Sequence, residues 1–517
     1  MKSDYLTPTQ LAKALGISRQ AVLERIQKGS IAAMKVGQQY IIDRKAFRSA
    51  KTEGRSVEGT LKRMERSKNT KERVLKAVRD NKINTIQLWF VDILGILKCV
   101  VITERELKEA LDHGKGFDGS SVTGFAEAEE SDIIAMPDAS TFQVLPWEGS
   151  TIPVARLFCD ILNPDKTPYP GDARWVLKRV LERARKLGFT FYIGPELEYF
   201  YFKNDHSTEV LDEGTYFELI PNDMADVMRN KTVDTLEHMG IPMETGHHEV
   251  APSQHEIDLK YDEALISADN IITAKYCIKE VARSNNAYAT FMPKPMFGVN
   301  GSGMHVHQSL FSTKGGSASG GKGDKNAFYD KNDKHHLSLT AKQFIAGQLK
   351  HAREFCALTA QWVNSYKRLV SGYEAPVYVS WAQRNRTALI RVPLYRPGNE
   401  KATRAEIRCP DPSCNPYLAF AVLLAAGLEG IEKKYKVPEA IEPNIYKMEM
   451  SEREHRGLVA LPGNLFEAIE ETQMSRLVKE VLGEHIFTRF LINKKKEWED
   501  YRIQVTSHEI RRYLPVL

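Results

Sequence analysis

The first fifty residues follow the hydrophobic spacing of two helices and then that of a pair of strands. Thr7 is predicted to cap a helix that begins at Pro8, and a second helix is predicted over residues 19–28. Residues 35–43 are predicted to form a β-hairpin. Two helices joined by a short turn and followed by a hairpin indicate a winged helix-turn-helix. The alternative is a helical docking module with a solvated basic face.

Aromatic residues surround two glutamates in the segment from Phe191 to Phe202, which is predicted to be a strand. Glu196 and Glu198 are two positions apart, so both side chains lie on one face of that strand. Two neighbouring carboxylates raise each other's pKa unless a cation lies between them, and a divalent metal is the simplest such cation. The alternative is a pair of surface glutamates on an edge strand, which the aromatic neighbours disfavour.

A glycine-rich turn, Asn300 to Gly303, directly precedes two histidines at spacing i, i+2. His305 and His307 are therefore predicted to project from one face of a strand, and the glycines let a ligand lie close to the backbone. This pattern is typical of a metal–phosphate site. A histidine pair that is hydrogen-bonded on a half-buried strand would have the same spacing.

Two further acidic clusters accompany these motifs. In residues 246–258, Pro252 interrupts the periodicity, so the spacing leaves open which carboxylates face together. In residues 404–408, Glu406 and Arg408 share one strand face, and an ion pair alone could explain them. Carboxylates combined with a single histidine favour Mg²⁺ or Mn²⁺ over zinc.

Basic residues cluster separately, in residues 367–374 and 383–391. Arginine binds carboxylate and phosphate through two parallel hydrogen bonds, so these segments are expected to hold anionic substrates while the acidic clusters hold metal. That division is typical of phosphoryl transfer. A run from Gly316 to Gly323 resembles a phosphate-binding loop but lacks the Ser or Thr that must follow Lys322, so residues 314–325 are predicted to form a mobile surface loop.

Composition narrows the class of protein. At 517 residues, with 42% hydrophobic and 27% charged residues, the chain is predicted to be a soluble globular protein of two to four domains. No apolar run reaches the roughly 20 residues that a membrane span needs, and the N-terminus lacks the apolar core of a signal peptide. Six scattered cysteines without a C-x-x-C pair predict reduced thiols. The expected location is the cytoplasm.

Charge is distributed unevenly along the chain. Residues 1–73 contain 17 Lys+Arg and 7 Asp+Glu, a net charge of +10, whereas the remaining 444 residues contain 55 and 60, a net charge of −5. A basic module on a mildly acidic body predicts nucleic-acid contact. Residues 49–73 are polar and nearly free of large apolar side chains, which predicts a flexible or loosely helical linker.

The basic N-terminal segment resembles the small winged helix-turn-helix domains of the excisionase type over about fifty residues. Double-stranded DNA is therefore an expected partner, since a recognition helix contacts base edges and phosphates near its start. The candidate contacts near the start of the second helix and in the wing are Arg19, Gln20, Arg25 and Lys35.

Five motifs, taken in order, resemble those of a bacterial type I glutamine synthetase. They are GPELEYF, HHEVAPSQHEID, NGSGMHVHQSL, NSYKRLVSGYEAPVYVSWAQRNRTALIRVP and EIRCPDPSCNPYLAFAVLLAAGLEGI. The resemblance runs from about Lys71 to the C-terminus. It implies ATP-dependent ligation of ammonia to L-glutamate through a γ-glutamyl phosphate intermediate. It also implies a homo-oligomer, typically a dodecamer of two hexameric rings with shared active sites.

The resemblance implies roles for the matching residues. Two to three Mg²⁺ or Mn²⁺ ions per active site would be held by one set of Glu198, Glu249 and Glu256 and another of Glu196, His305 and Glu406. Glutamate and ammonium would be bound by Asn300, Gly301, Arg368, Arg408, Tyr216 and Ser121. ATP would be bound by His307, Ser309, Arg391, Arg404 and Lys401. The catalytic residues would be Asp118, which deprotonates ammonium across a subunit interface, the flap residue Glu374, and Arg386.

Some positions depart from the family's pattern. Ser371 replaces the proline that usually precedes Gly-Tyr-Glu, a change expected to loosen the flap. Glu127 stands where many close relatives carry an arginine linked to feedback control, so that form of regulation is in doubt. The sequence around Tyr446 resembles relatives that lack adenylylation, so none is expected at this tyrosine.

The implied fold class is α+β. A winged helix-turn-helix (residues 1–48) and a linker (49–73) are expected before a β-grasp domain (74–170) and a catalytic domain with a curved antiparallel sheet (171–517). Two functional alternatives stay open. One is a γ-glutamyl-amine ligase that uses a larger amine, which Asp118 and Tyr216 disfavour. The other is a DNA-binding regulator with a synthetase-derived sensor body.

Overall fold

The structure is a computed structural model. It describes residues 70–124, 132–146, 153–221, 223–313 and 325–517, together with residues 5–6, 8, 12, 20, 22–23, 26, 34–36 and 39–43. Several predicted features lie outside the described residues: Thr7, Arg19, Arg25, Glu127 and the glycine-rich run 316–323.

The N-terminal segment contains a small antiparallel sheet. Its strands are β1 (Tyr5–Leu6), β2 (Met34–Val36) and β3 (Gln39–Asp43), in the order β1-β3-β2. The hairpin predicted over residues 35–43 is present as β2–β3, while the pairing of β1 with β3 was not predicted from the sequence. Residues 8, 12, 20, 22–23 and 26 are helical. Of the candidate DNA contacts, Gln20 is helical and exposed, and Lys35 lies in β2.

The predicted linker ends inside a helix. Residues 70–80 form helix α1, so positions 70–73, which were assigned to the linker, are already helical. Val74 and Val78 of this helix are buried in the core of the smaller of the two sheets that follow.

The smaller sheet has six strands: β4 (Thr85–Val91), β5 (Leu97–Thr103), β6 (Lys115–Asp118), β7 (Asp132–Pro137), β8 (Gln143–Leu145) and β9 (Val154–Leu162). The order is β5-β4-β9-β7-β6, with β8 paired to β9 and a parallel pairing between β4 and β9. Helix α2 (Glu104–His113) buries Leu107, Ala110 and Leu111, which belong to this sheet's core.

The larger sheet has ten strands: β10 (Phe189–Phe202), β11 (Met243–His248), β12 (Gln254–Leu259), β13 (Asp262–Glu263), β14 (Tyr288–Thr290), β15 (Val306–Ser312), β16 (Lys325–Asn326), β17 (Tyr378–Ala382), β18 (Ala388–Arg391) and β19 (Ala405–Ile407). The main path is β11-β12-β10-β15-β19-β18-β17. The predicted α+β fold is confirmed, with one difference: β17 and β18 pair in parallel, whereas an antiparallel sheet was predicted.

Helices cover the larger sheet and extend to the C-terminus. They are α3 (Ala173–Lys186), α4 (Met224–His238), α5 (Ala264–Ser284), α6 (Leu339–His351), α7 (Cys356–Thr359), α8 (Ser365–Arg368), α9 (Pro416–Glu432), α10 (Met450–His455), α11 (Leu465–Met474), α12 (Arg476–Arg502) and α13 (Ser507–Tyr513). Helix α9 begins with Pro416 after the N-cap Asn415 and is buried along almost its whole length. It packs so closely on α6 that a Cβ at Gly347 would lie 2.1 Å from the Ala426 carbonyl oxygen.

Two expectations from composition can be compared with the structure. Among the described helices, none combines the length and the apolar character that a membrane span requires. All six cysteines are free thiols, as predicted, and five of them are buried.

Candidate active site

The strand register of the larger sheet brings the predicted acidic motifs together. On β10 and β12, Glu196 lies opposite Asp258, and Glu198 lies opposite Glu256. On the other side of β10, strand β15 carries His307, which in turn lies opposite Glu406 of β19. Because alternate strand residues share a face, residues of four strands, from Glu196 to Glu406, project into one space.

That space consists of two adjoining cavities. The first, which we call the carboxylate cavity, has a volume of about 500 Å³. Its walls include all six predicted metal ligands and the predicted substrate or catalytic residues Tyr216, Asn300, Gly301, Arg368, Glu374, Arg386, Arg391 and Arg408. The second, the basic cavity, has a volume of about 560 Å³ and includes His307, Ser309, Lys401 and Arg404. Glu196, Thr245 and Asp258 line both cavities.

Glu196 joins the two histidines of the glycine-rich motif. Its Oε2 lies 2.7 Å from His305 Nδ1, and its Oε1 lies 2.6 Å from His307 Nε2. Arg404 Nε donates to His307 Nδ1 at 3.0 Å, so the Nε2 of His307 carries the proton that faces Glu196. Burial opposes ionisation of Glu196, but the two histidines outweigh it and hold its pKa well below the usual range. The predicted common face of His305 and His307 is present.

Glu198 and Glu256 are carboxyls whose pKa values are raised by burial and by neighbouring carboxylates. Glu198 Oε2 accepts hydrogen bonds from Gly303 N at 2.8 Å and from Gln254 Nε2 at 3.1 Å. Burial, together with the charge of Glu249, still raises the pKa of Glu198 to about 8. Burial and the neighbouring carboxylates of Asp258 and Glu198 raise the pKa of Glu256 well above its usual value.

The turn between β11 and β12 resolves the cluster that Pro252 made ambiguous in the sequence. Glu249 faces the cavity, with Oε1 3.2 Å from His247 Nε2, while Oε2 accepts from the Val250 backbone at 2.9 Å. His248 points the opposite way, where its Nε2 bonds to the buried Asp212 at 2.6 Å. The Nδ1 atom of His247 is buried without a hydrogen-bond partner among the described residues.

Glu406 is almost fully buried between two arginines. Arg408 Nη1 donates to its Oε1 and Arg391 Nη1 donates to its Oε2, both at 2.6 Å. Burial works against ionisation, yet the Arg408 guanidinium and the His307 ring outweigh it and set the pKa of Glu406 at about 2. The ion pair between Glu406 and Arg408, which was expected from their spacing, is therefore present inside the cavity.

Three groups in the cavities bring potential metal-ligand atoms within 4.8 Å of one another. One is the predicted set Glu196, His305 and Glu406. The second is His247, Glu249 and Glu256, in which His247 takes the place predicted for Glu198. The third is Glu196, Glu256 and Asp258. Carboxylate-rich groups with an imidazole match the ligand preference of Mg²⁺ and Mn²⁺.

The glycines of the motif allow a buried arginine to approach the backbone. Any Cβ at Gly303 would lie 2.5 Å from Arg368 Nη2, and any Cβ at Gly301 would lie 2.2 Å from the Pro293 carbonyl oxygen. Arg368 Nη1 and Nη2 donate to the backbone carbonyls of Cys409 and Arg408, both at 3.0 Å, which fixes the guanidinium. The Nε atom of Arg408 is buried without a partner among the described residues.

Tyr216, Arg386 and Glu374 lie at the rim of the carboxylate cavity. Tyr216 is 42% exposed, and burial of its hydroxyl raises its pKa although Arg386 donates to it. Phe217 stacks on His247 with ring centroids 4.4 Å apart. Glu374 has a positive φ of 59°. These residues can move relative to the cavity more easily than its buried carboxylates can.

Two predicted site residues lie elsewhere. Asp118 ends β6 of the smaller sheet and Ser121 follows in the next turn, and both are exposed. The carboxyl of Asp118 accepts from the Ser120 backbone at 2.8 Å. Neither residue lines either cavity of this chain.

Thr245, His247 and Asp258 are cavity residues that were not predicted as site residues. Asp258 follows Glu256 at spacing i, i+2, a signal that could have identified it. Thr245 and His247 of β11 lie opposite Asp258 and Glu256 of β12, a pairing between strands that the spacing along one strand does not encode.

Known proteins resemble the chain along most of its length. The family described as glutamine synthetase, catalytic domain matches residues 170–513, and glutamine synthetase, beta-Grasp domain matches residues 82–164. The helix-turn-helix domain family matches residues 5–55.

Curated relatives point the same way. The glutamine synthetase of Methanosarcina mazei is 50% identical over 452 residues, which are 87% of this chain and 98% of that protein. The glutamine synthetase of Thermotoga maritima is 47% identical over 86% of this chain and 99% of its own length. The glutamine synthetase of Mycobacterium tuberculosis H37Rv is 49% identical with the same coverage.

Solved structures share the fold. A structure of GmaS in complex with ADP has a TM-score of 0.75 and 29% identity, covering 86% of this chain and 99% of that one. The cryo-EM structure of Plasmodium falciparum glutamine synthetase also has a TM-score of 0.75, with 24% identity, covering 86% and 98%.

Proposed function

The chain belongs to the glutamine synthetase family and is a glutamate–ammonia ligase, and we propose that its reaction takes place where the carboxylate and basic cavities meet. The observation that carries this proposal is the convergence of three acidic groups and fixed arginines around Glu196, which lines both cavities. ATP bound in the basic cavity would present its terminal phosphate to glutamate bound in the carboxylate cavity. Positioning and charge neutralisation are what such a transfer requires.

Divalent metal fits the residues that line the carboxylate cavity. A carboxyl with a pKa of about 8 beside a second carboxyl with a raised pKa indicates a surplus of negative charge that a cation would balance. Glu196, His305 and Glu406 would hold one ion, and Glu198, Glu249 and Glu256, with His247 nearby, would hold another. When bound, the ions offset the repulsion between the phosphates of ATP and the carboxylate of glutamate.

Glutamate would lie along the glycine-rich turn. Asn300 and Gly301 border the cavity beside Arg368, whose guanidinium is fixed by backbone carbonyls. Arg408 lines the same cavity, and a guanidinium donates hydrogen bonds that a carboxylate would accept. Glutamate bound in this way would present its γ-carboxylate toward Glu196 and the basic cavity.

ATP would be bound by the basic cavity. Ser309, Lys401 and Arg404 lie on the same side as His307, whose pKa is raised because Glu196 outweighs the effect of burial. The ammonium of Lys401 and the guanidinium of Arg404 attract phosphate. Arg391, held against Glu406 in the carboxylate cavity, would stabilise the phosphoryl group during transfer.

The second half of the reaction takes place at the rim. Ammonia attacks the carbonyl carbon of γ-glutamyl phosphate, the bond to phosphate breaks, and phosphate leaves with the electron pair. Tyr216, Arg386 and Glu374 surround this opening. Asp118 would take the proton from ammonium at the site of a neighbouring subunit, which accounts for its exposed position here.

Metal binding tests the assignment of the carboxylates. Titration of Mn²⁺ should give at least a tenfold weaker affinity for E196Q and E198Q than for the unchanged protein, because each removes a charged oxygen ligand. E452Q is the matched control, since Glu452 forms an ion pair with Arg456 on an exposed helix. Unchanged Mn²⁺ affinity in E196Q would remove Glu196 from the metal site.

We also propose the assembly and the subtype. The chain would form a dodecamer of two hexameric rings, as a cytoplasmic enzyme of the bacterial type I class with two to three Mg²⁺ or Mn²⁺ ions per active site. Support comes from identity of 47–50% to relatives that the chain covers almost completely. Mass photometry should give the mass of twelve chains. A stable mass below that of a hexamer would contradict the ring.

We further propose that residues 1–48 bind duplex DNA, that 49–73 link them to the enzyme, and that residues 74–170 and 171–517 are its two domains. The helix-turn-helix match and the net charge of +10 in residues 1–73 support DNA binding. Affinity for a labelled duplex should fall steeply between 50 and 200 mM salt. Equal binding by the chain that starts at Lys71 would refute the assignment.

A further inference from the structure

The segment that carries Glu374 has an unusual backbone. We call residues 371–376 the flap. Gly372 has a φ of +98° and Glu374 a φ of +59°, the left-handed region that a glutamate rarely adopts. Such a conformation persists only where neighbouring contacts impose it. The contacts on both sides of Glu374 are therefore informative.

One contact comes from Tyr446, beyond the end of the flap. Its hydroxyl donates to the backbone carbonyl of Ala375, the residue next to Glu374. Asn444 accepts from the Tyr446 backbone at 2.9 Å and holds the tyrosine in a short helical turn. Burial raises the pKa of Tyr446 to about 12, so its hydroxyl keeps the proton that it donates.

The other contact comes from Lys294. Its Nζ lies 3.9 Å from the centre of the Tyr373 ring and donates to the carbonyl of Val299. Lys294 is only 9% exposed, and no carboxylate forms an ion pair with it among the described residues. A buried ammonium that is balanced by an aromatic face and a carbonyl indicates a specific role for its charge.

Lys294 also contacts the glutamate-binding turn. Any Cβ at Gly301 would lie 3.1 Å from Lys294 Cδ, so the lysine stem packs directly against this glycine. Asn364 fixes the lysine backbone, since its Oδ1 accepts from Lys294 N at 2.7 Å and its Nδ2 donates to Lys294 O at 3.0 Å. One rigid residue thus contacts both the flap and the turn from Val299 to Gly301.

From these contacts we infer that Lys294 and Tyr446 are positioning residues that hold the flap from two sides and keep Glu374 over the cavity. This inference rests on the proposed function, in which γ-glutamyl phosphate reacts at the opening that Glu374 borders. Lys294 further couples the flap to the occupancy of the glutamate-binding turn.

A loosened flap has a defined chemical consequence. Water would attack the carbonyl carbon of γ-glutamyl phosphate, the bond to phosphate would break, and phosphate would leave with the electron pair. The protons of the water would pass to solvent, and glutamate would be regenerated. ATP would then be consumed without glutamine being formed.

The test is the ratio of ADP to glutamine at saturating ammonium in K294M and Y446F. We expect a ratio of 1 in the unchanged protein and of at least 2 in each variant, with the KM for ATP within threefold. The structure offers matched controls in K350M and Y435F. Lys350 Nζ lies 4.1 Å from the ring centre of Tyr435. This cation–ring contact is of the same kind as that between Lys294 and Tyr373, but neither residue lines either cavity. Both controls should keep a ratio of 1.

The possible outcomes distinguish failure of the inference about Lys294 and Tyr446 from failure of the proposed function. A lower kcat with a ratio of 1 in K294M and Y446F would overturn the inference, because it would assign these residues a purely structural role. Absence of glutamine formation in the unchanged protein would instead refute the proposed function. If K294M does not fold, Y446F alone tests the inference. K294R keeps the cation and should keep a ratio of ADP to glutamine of 1.

Discussion

Glu198 and Glu256 lie directly opposite each other on neighbouring antiparallel strands, and the pKa of each carboxyl is raised. Directly opposed like charges destabilise a sheet, so a fold that keeps them needs a compensating cation or a proton. Where no divalent cation is bound, protonation of these carboxyls must supply that compensation.

Removal of divalent metal should make the stability of the protein depend on pH. The pKa of Glu198 rises on folding from its usual 4.5 to about 8, so its protonation stabilises the fold fully below 4.5 and this contribution is lost as pH rises through 8. The melting temperature in EDTA should fall between pH 6.5 and 8.5, and Mg²⁺ should abolish most of the fall. E198Q in EDTA should show a smaller fall. A melting temperature that changes with pH in the same way with and without Mg²⁺ would contradict this prediction.

Substitution of Glu406 should affect both stability and activity. E406Q leaves the partly buried Arg391 and the buried Arg408 without their shared carboxylate. Breaking a buried pair by removing one partner costs about 3 kcal/mol, and activity should fall by at least 100-fold. Thermal melts and steady-state assays measure the two effects. A melting temperature equal to that of the unchanged protein would show that the arginines find other partners.

Much of this arrangement could be predicted from the sequence, for a physical reason. Glu196 and Glu198, and likewise His305 and His307, are pairs whose spacing within one strand fixes a common face. The sequence motifs that contain these pairs are long enough to identify the family, and with it the α+β fold. Local spacing thus accounts for what was predicted within each motif.

The remainder depends on contacts that spacing does not encode. His247 replaces Glu198 in one close acidic group because it lies opposite Glu256 on the neighbouring strand, a pairing that spacing along one strand does not encode. The contact between Lys294 and Tyr373 joins residues that are 79 positions apart through a cation and a ring. The parallel pairing of β17 with β18 is likewise a tertiary feature.

Lys275 should give a second pH dependence, of opposite sign. Burial lowers its pKa from 10.5 to about 8. Between these values the unfolded chain binds the proton and the folded chain does not, so the stability of the protein should rise with pH in this window. Relative to K275M, the unchanged protein should gain about 1 to 2 kcal/mol between pH 7.5 and pH 9.5. A difference in stability between the unchanged protein and K275M that does not change with pH would show that Lys275 stays charged in the folded protein.

Removal of the N-terminal segment should leave the ligase intact. The two glutamine synthetase domain matches cover residues 82–164 and 170–513, and helix α1 keeps Val74 and Val78 in the core of the smaller sheet. The chain that starts at Lys71 should have a kcat within twofold of the full chain. A folded but inactive truncated chain would indicate that residues 1–70 contribute to the enzyme.

The dependence of phosphate release on ammonium tests the central claim most directly. Purified protein with Mg²⁺ would be assayed for phosphate and for amide product while ATP, glutamate and ammonium are omitted in turn, and then with putrescine or methylamine in competition with ammonium. We predict that glutamine and phosphate form in equal amounts only when all three substrates are present, and that ammonium is preferred. Phosphate release that does not need ammonium, or a larger amine that outcompetes it, would contradict the account.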